Sequence, residues 1–470
     1  MVLRFVFNVF LATAFVGCSV VHDARQAQRD VRPKASDCGE SAPLPTPPDG
    51  RSLAALVDFA LESRPSVASA RLAVVDARLA LKQVAADAPV VSATPWNAAH
   101  ASASAGHSEA TTPAHLDDFK LSTKGDPSAS ISIDLLLYDF GRNAALAQSR
   151  AEDVIAAETS LVKEEYAVFK EVSDAYFGLH ESRALLEVAQ TNEYVRALHL
   201  DQVERMLSEG EAKRLDVLRA KLDLASARER LVAASNDVST AFAEYFRALG
   251  AAEGGRGDEA EGALASARRG FADTEYDAAE ACALARTNAP SMRIARARLR
   301  AAVADVDAAV ADLYPEVSFS ASLSWTDPLW VFKWGFSAAE RLFTGWRRTA
   351  AVERAVVAMK KASAAVDAAE QDLVRDIEIA VAARDNAREA RKAADESLAS
   401  ARENLSTVTE QYKVGDASRV DFADAVDNYA SALGSRVGAF YRGQRAEAAL
   451  FALLGSSPVY DERTSSLENQ

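Results

Sequence analysis

Cysteine is scarce: Cys18, Cys38 and Cys282 are too few for a disulfide framework. A Cys38–Cys282 bridge and a free thiol at Cys282 on an apolar helix face are the two readings of the later pair. Aromatic residues make up only 7% of the chain, and much of its 49% apolar content is alanine, so one large globular core is excluded in favour of long, closely spaced helices. Positive charge is in the minority. A net charge of -15 excludes the basic face that nucleic acid requires. The six histidines (22, 100, 107, 115, 180 and 199) show no metal-ligand spacing on a common helix face, and no Gly-rich loop is placed to cradle a phosphate. No convergent polar set supports an enzyme, and no cofactor is expected. Glycine and proline are missing from residues 346–414, and residues 142–209 contain only Gly178. Each stretch is expected to form one helix on the order of 100 Å long.

What is present is a duplication. Leu137, Arg142, Gly210, Ala212, Arg214, Asp216, Leu249 and Gly250 recur 205 residues later as Leu342, Arg347, Gly415, Ala417, Arg419, Asp421, Leu454 and Gly455. Upstream, RPSVASARL from Arg64 and APSMRIARARL from Ala289 continue the repeat at an offset near 225. The first copy therefore carries about 20 more residues between its ends, and these are expected mostly in the 106–127 loop. Residues 250–262, GAAEGGRGDEAEG, separate the copies as a linker.

The chain opens with MVLRFVFNVFLATAFVGC, an early arginine and an apolar run that read as a secretion signal, too short for a transmembrane helix. Gly17-Cys18 resembles the end of a bacterial lipobox, although Phe15 stands where that pattern has an aliphatic residue; an ordinary signal cut elsewhere is the alternative. The proline-rich stretch 41–50 reads as an extended tether.

Alternation marks the strands. Ala129, Ile131, Ile133 and Leu135 alternate with Ser128, Ser130, Ser132 and Asp134, after weaker alternation around 90–105. In the second copy Val317, Phe319, Ala321, Leu323 and Trp325 alternate with Ser318, Ser320, Ser322, Ser324 and Thr326. Trp330, Phe332, Trp334 and Phe336 follow beyond the Asp327-Pro328 turn. A serine face beneath an aromatic face is the inverse of a soluble sandwich and fits a membrane barrel with water inside; a surface hairpin packed on its aromatic face is the alternative. Four strands cannot close such a barrel, and open edges in lipid leave backbone groups unpaired, so the chain must oligomerise. A cyclic trimer supplies twelve strands. Each long helix ends at Gly210 or Gly415, where a tight turn calls for positive φ, and returns through a shorter helix to Gly250 or Gly455.

LLLYDFGRNAAL at 135–146, RLFTGWRR at 341–348, LDVLRAKLDLASARERL at 215–231 and YKVGDASRVDFADAVDNYASA at 412–432 together resemble the TolC-like outer-membrane factors, over residues 52–455. The resemblance implies a mainly α fold with membrane β structure: two repeats of helix-strand-strand-long helix-helix, assembled as a trimeric twelve-stranded β-barrel on a long periplasmic α-helical barrel. The division expected is a signal peptide (1–17), a lipidated tether (18–51), first repeat (52–250, strands near 90–105 and 128–137), linker (251–275), second repeat (276–455, strands near 316–326 and 329–338) and tail (456–470). Cys18 would carry a covalent lipid in the bacterial outer membrane. The partners implied are two further copies, outer-membrane lipid, a periplasmic adaptor and an inner-membrane pump.

By the same resemblance Asp421 and Asp424 stand where the family places its constriction aspartates, with i, i+3 spacing that puts both on one helix face; solvated surface acids are the alternative. Asp216 matches a position that latches neighbouring helices at the closed tip. The basic partner falls at Ala417, which leaves Arg214 and Arg419 as latch candidates, with Gly210 and Gly415 at the tip turns. The function implied is an exit duct for efflux or type I secretion. A periplasmic adaptor or other coiled-coil interaction protein is the rival reading, weakened by the absence of many short strands.

Overall fold

The computed structural model describes residues 53–86, 99–108, 126–210, 213–251, 276–326, 329–339, 345–414 and 416–455, together with Gln26. The first copy consists of α1 (Leu53–Ser63), α2 (Pro65–Ala86), β1 (Ala99–Ser108), β2 (Asp126–Tyr138), α3 (Arg142–Ser208) and α4 (Arg214–Leu249). The second repeats the order as α5 (Ala278–Asn288), α6 (Pro290–Ala311), β3 (Glu316–Thr326), β4 (Leu329–Ala339), α7 (Arg347–Lys413) and α8 (Arg419–Leu454). Helices α3 and α7 each run 67 residues, or about 100 Å at 1.5 Å per residue. The part of the expected first strand before Ala99 lies outside the described residues, as do the signal, Cys18, Cys38, the linker and the tail. Residues 109–125 join β1 to β2, whereas 327 and 328 alone join β3 to β4, so most of the first copy's surplus falls in that connection.

The strands form one antiparallel sheet in the order β1-β2-β3-β4. Its register aligns Ser102, Ser132, Ser322 and Lys333 across all four strands, and Ser104, Ser130, Ser324 and Val331 beside them. The intervening rows align Ala101, Ile133, Ala321 and Trp334, and Ala103, Ile131, Leu323 and Phe332. Since successive residues point to opposite faces, one face is serine-rich and the other apolar. Trp330, Phe332, Trp334 and Phe336 are exposed. Strands β1 and β4 are the outer edges of the sheet in the single chain. Among the described residues, no helix is long and apolar enough to cross a membrane.

Each second strand enters its long helix through two consecutive left-handed residues, Phe140 and Gly141 in one copy, Gly345 and Trp346 in the other. Glycine and an aromatic residue exchange places between the copies. Phe140 is held by stacking on Tyr314, ring centroids 5.2 Å apart. Asp139 fixes the helix start by accepting from the backbone N–H of Asn143 at 2.7 Å and of Gly141 at 3.1 Å.

Two cores mark the middle of the helices. The first gathers Leu56, Val57, Ala60 and Leu61 of α1 with Val168, Phe169 and Val172 of α3 and Leu249 of α4. The second gathers Ala281, Ala285 and Met292 with Leu373 and Ile377 of α7 and Leu450 and Leu454 of α8; Cys282 is half-buried beside it. Equivalent residues thus build equivalent cores. Glu171 bridges Arg64 and Arg247 near the first. Burial pulls its carboxyl upward, but the hydrogen bonds and charges of Arg64 and then Arg247 hold it below the usual range.

His180 is buried on α3, edge-on to Tyr176 at 4.4 Å. Desolvation, aided by the charge of Arg183, pushes its pKa down to about 4. Because the unfolded chain would protonate near 6.5 and the folded one near 4, the folded state binds fewer protons between those values. Stability is therefore fully present above pH 6.5 and falls as the pH drops toward 4, by on the order of 2–3 kcal/mol. His180→Leu should flatten that slope in denaturation measured between pH 4 and 7. An unchanged slope would assign the acid sensitivity to other groups.

Candidate functional site at the helical tip

The two returning helices begin alike. At α8, the Asp421 carboxylate accepts from the Ser418 backbone N–H at 3.0 Å while the Asp421 N–H donates to the Ser418 hydroxyl at 3.2 Å, a reciprocal capping box. At α4, Asp216 accepts from the Lys213 N–H at 3.1 Å. These aspartates are matched cap residues of the two repeats, a role that composition and family position did not reveal. Hydrogen bonds from Ser418, its side chain first and its backbone second, hold the Asp421 carboxyl below the usual carboxylate range.

Asp421 and Asp424 are both exposed, one turn apart on α8. Arg214 is exposed at the first position of α4. Arg419 begins α8. Gly210 has φ +83°, the left-handed turn expected of it. Gly415 lies outside the described residues. Beyond it the chain turns through the Asp416 N–H, which donates to the Gln411 carbonyl at 2.9 Å.

Behind the tip lies a junction that the sequence did not announce. Arg196 of α3 is buried and donates to the Asp427 carboxylate at 2.7 Å and to the Ala423 carbonyl at 3.0 Å. Asp223 of α4 stands 3.9 Å from its other nitrogen. Three residues on, His199 packs near Phe422 and Tyr412, whose rings stack at 5.1 Å. One side chain of the first copy thus secures the turn of α8 from Ala423 to Asp427, which contains Asp424. Among the described residues, no group of His, Cys, Asp and Glu is placed to hold a metal ion.

The family model described as "Outer membrane efflux protein" matches residues 56–251 and 281–456, the two halves of the duplication. The chain belongs to the outer membrane efflux protein family. No curated protein matches its sequence. Its fold is that of the solved structure of CusC, at 18% identity with a TM-score of 0.74, covering 90% of this chain and 96% of that one. VceC of Vibrio cholerae follows the same fold, at 18% identity and TM-score 0.70, covering 86% and 96%. So does the open state of the MtrE outer membrane channel of Neisseria gonorrhoeae, at 19% identity and TM-score 0.69, covering 86% and 89%. The TolC-like resemblance is thereby confirmed. Mainly α architecture with one small sheet and two structural repeats is the fold of this family member.

Proposed function

We propose that this protein is the outer-membrane exit duct of a tripartite efflux or type I secretion system, working as a homotrimer. The four-stranded sheet carries this reading. Its serine-rich and aromatic faces suit water on one side and lipid on the other, and its two outer edges require partners in a membrane. Three copies would supply the twelve strands of a closed barrel. The 67-residue helices leave the sheet on one side and would continue the duct through the periplasm toward a periplasmic adaptor and an inner-membrane pump. Cargo delivered by the pump would then leave through the duct by passive diffusion. In this assembly Asp421 and Asp424 ring the narrow end, while Asp216, with Arg214 or Arg419, contributes to the closed tip.

The test is the mass of the detergent-purified protein together with its conductance in planar bilayers. A trimer that forms channels is expected; a water-soluble monomer of full helicity would remove the architecture.

The lipid anchor is a separate proposal resting on Gly17-Cys18. Cys18→Ser should abolish metabolic labelling with palmitate and leave membrane insertion partly intact, since a closed barrel holds itself in the bilayer. Labelling that persists would exclude Cys18 as the acceptor.

A further inference from the structure

The serine-rich face of the sheet carries a long cationic side chain near its middle. Serine stands at every second position of β3 from Ser318 to Ser324, and the same face of β4 presents Val331, Lys333, Gly335 and Ser337. Ser318 and Ser337 meet across this pair, hydroxyl to hydroxyl at 2.8 Å, which confirms that these alternate residues share a face. Lys333 stands among short neighbours, with Val331 and Gly335 on either side along β4 and Ser322 opposite on β3. It is exposed, and among the described residues no carboxylate pairs with it. The adjoining row of the register, His100, Asp134, Ser320 and Gly335, places Asp134 two strands away and one row along.

Alternation decides which way Lys333 points in a membrane. Phe332 and Trp334, its neighbours in sequence, are both exposed and lie on the face that suits lipid. A lysine turned to lipid at mid-bilayer is strongly destabilising, whereas on the lumen side it stays hydrated. In a closed barrel of three copies the ammonium groups are then inside. Twelve strands about 4.8 Å apart, tilted by roughly 40°, enclose a backbone ring of about 12 Å radius. A lysine stem extends about 6 Å, so three ammonium groups reach within about 6 Å of the axis and about 10 Å of one another. That spacing is close to the Debye length of about 8 Å at physiological salt, so their fields overlap across the passage. Asp134 brings an equal number of carboxylates, but its short stem keeps them near the wall.

We propose that Lys333 forms a ring of positive charge at mid-height of the β-barrel, a binding and selection site for the anionic groups of solutes that pass through it. The proposal rests on the trimeric duct described above and adds to it a filter opposite in sign to the Asp421 and Asp424 ring, at the other end of the same passage. Carboxylate, phosphate or sulfonate groups are concentrated in the barrel by this ring. Cations entering from the barrel side are opposed.

The experiment applies inorganic tripolyphosphate to the barrel side of single channels of the full chain in planar bilayers. Block of the unmodified channel is expected, weakened on the order of tenfold by Lys333→Gln and retained in Lys333→Arg. No block of the unmodified channel, or equal block in Lys333→Gln, would overturn the ring and leave the duct standing, with Lys333 then a guard of the open β4 edge before assembly. A protein that is monomeric in detergent and forms no channels would overturn both. A second arm reads the face directly. In chains carrying Cys38→Ser and Cys282→Ser, Lys333→Cys should react with a membrane-impermeant, sulfonate-bearing thiol reagent and change the conductance, while Trp334→Cys should not. The reverse pattern would place Lys333 on the lipid side and overturn the ring.

Discussion

Replacing Asp421 and Asp424 together with asparagine should lower the cation selectivity of the channel in planar bilayers several-fold and weaken its block by added multivalent cations. Both carboxylates are exposed one turn apart on α8, and three copies of the pair would set six negative charges around one axis. Charges confined in a narrow aqueous passage act on ions far more strongly than the same charges on an open surface. Asparagine is the informative replacement because Asp421 also caps its helix, and an amide oxygen can still accept from the Ser418 N–H. The variant should therefore fold and assemble, separating loss of charge from loss of structure. The pH dependence has a definite sign. Hydrogen bonds from Ser418, its side chain first, lower the Asp421 carboxyl from its ordinary value, so its charge is lost at a lower pH than that of a free aspartate. The part of the selectivity that Asp421 supplies should therefore outlast that of a free carboxylate as the solution is acidified. Unchanged selectivity and block in the double variant would place the constriction elsewhere.

Much of this molecule was legible because its signals are periodic. Serine alternating with Phe, Leu and Trp marks β3 at Glu316–Thr326, Trp and Phe at every second position mark β4 from Leu329, and runs without proline, broken by glycine only at Gly178, mark both long helices. Features without a period were hidden. Arg196 has Ala401 as its repeat counterpart, so comparing the copies gave no reason to single it out, and its burial depends on where α8 lies rather than on its neighbours in sequence. The glycine of each strand-to-helix joint was visible, yet the adjoining left-handed residue is Phe140 in one copy and Trp346 in the other. A positive φ at an aromatic residue is set by packing, as the Tyr314 stack on Phe140 shows, and local preference points the other way. The capping role of Asp421 is legible in Ser418 three residues before it, which is the capping-box spacing.

Asp427→Ala should destabilise the protein more than Arg196→Met, although the two substitutions break the same ion pair. The side chain of Arg196 is 4% exposed, that of Asp427 49%. Removing the carboxylate strands a buried guanidinium between the Ala423 carbonyl and Asp223, the latter 3.9 Å away. Leaving a buried charge poorly compensated costs about 2–4 kcal/mol. Removing the guanidinium instead leaves two half-exposed carboxylates that water can solvate, and methionine refills the space, at about 1 kcal/mol. The midpoint of thermal unfolding in detergent should fall further for Asp427→Ala. The same variant frees α8 just past Asp424, so its resting conductance in bilayers should rise above that of the unmodified protein. The reverse order of stability would mean that the apolar stem of Arg196, not its charge, fastens α3 to α8, and conductance should then respond to Arg196→Ala while remaining normal in Asp427→Ala.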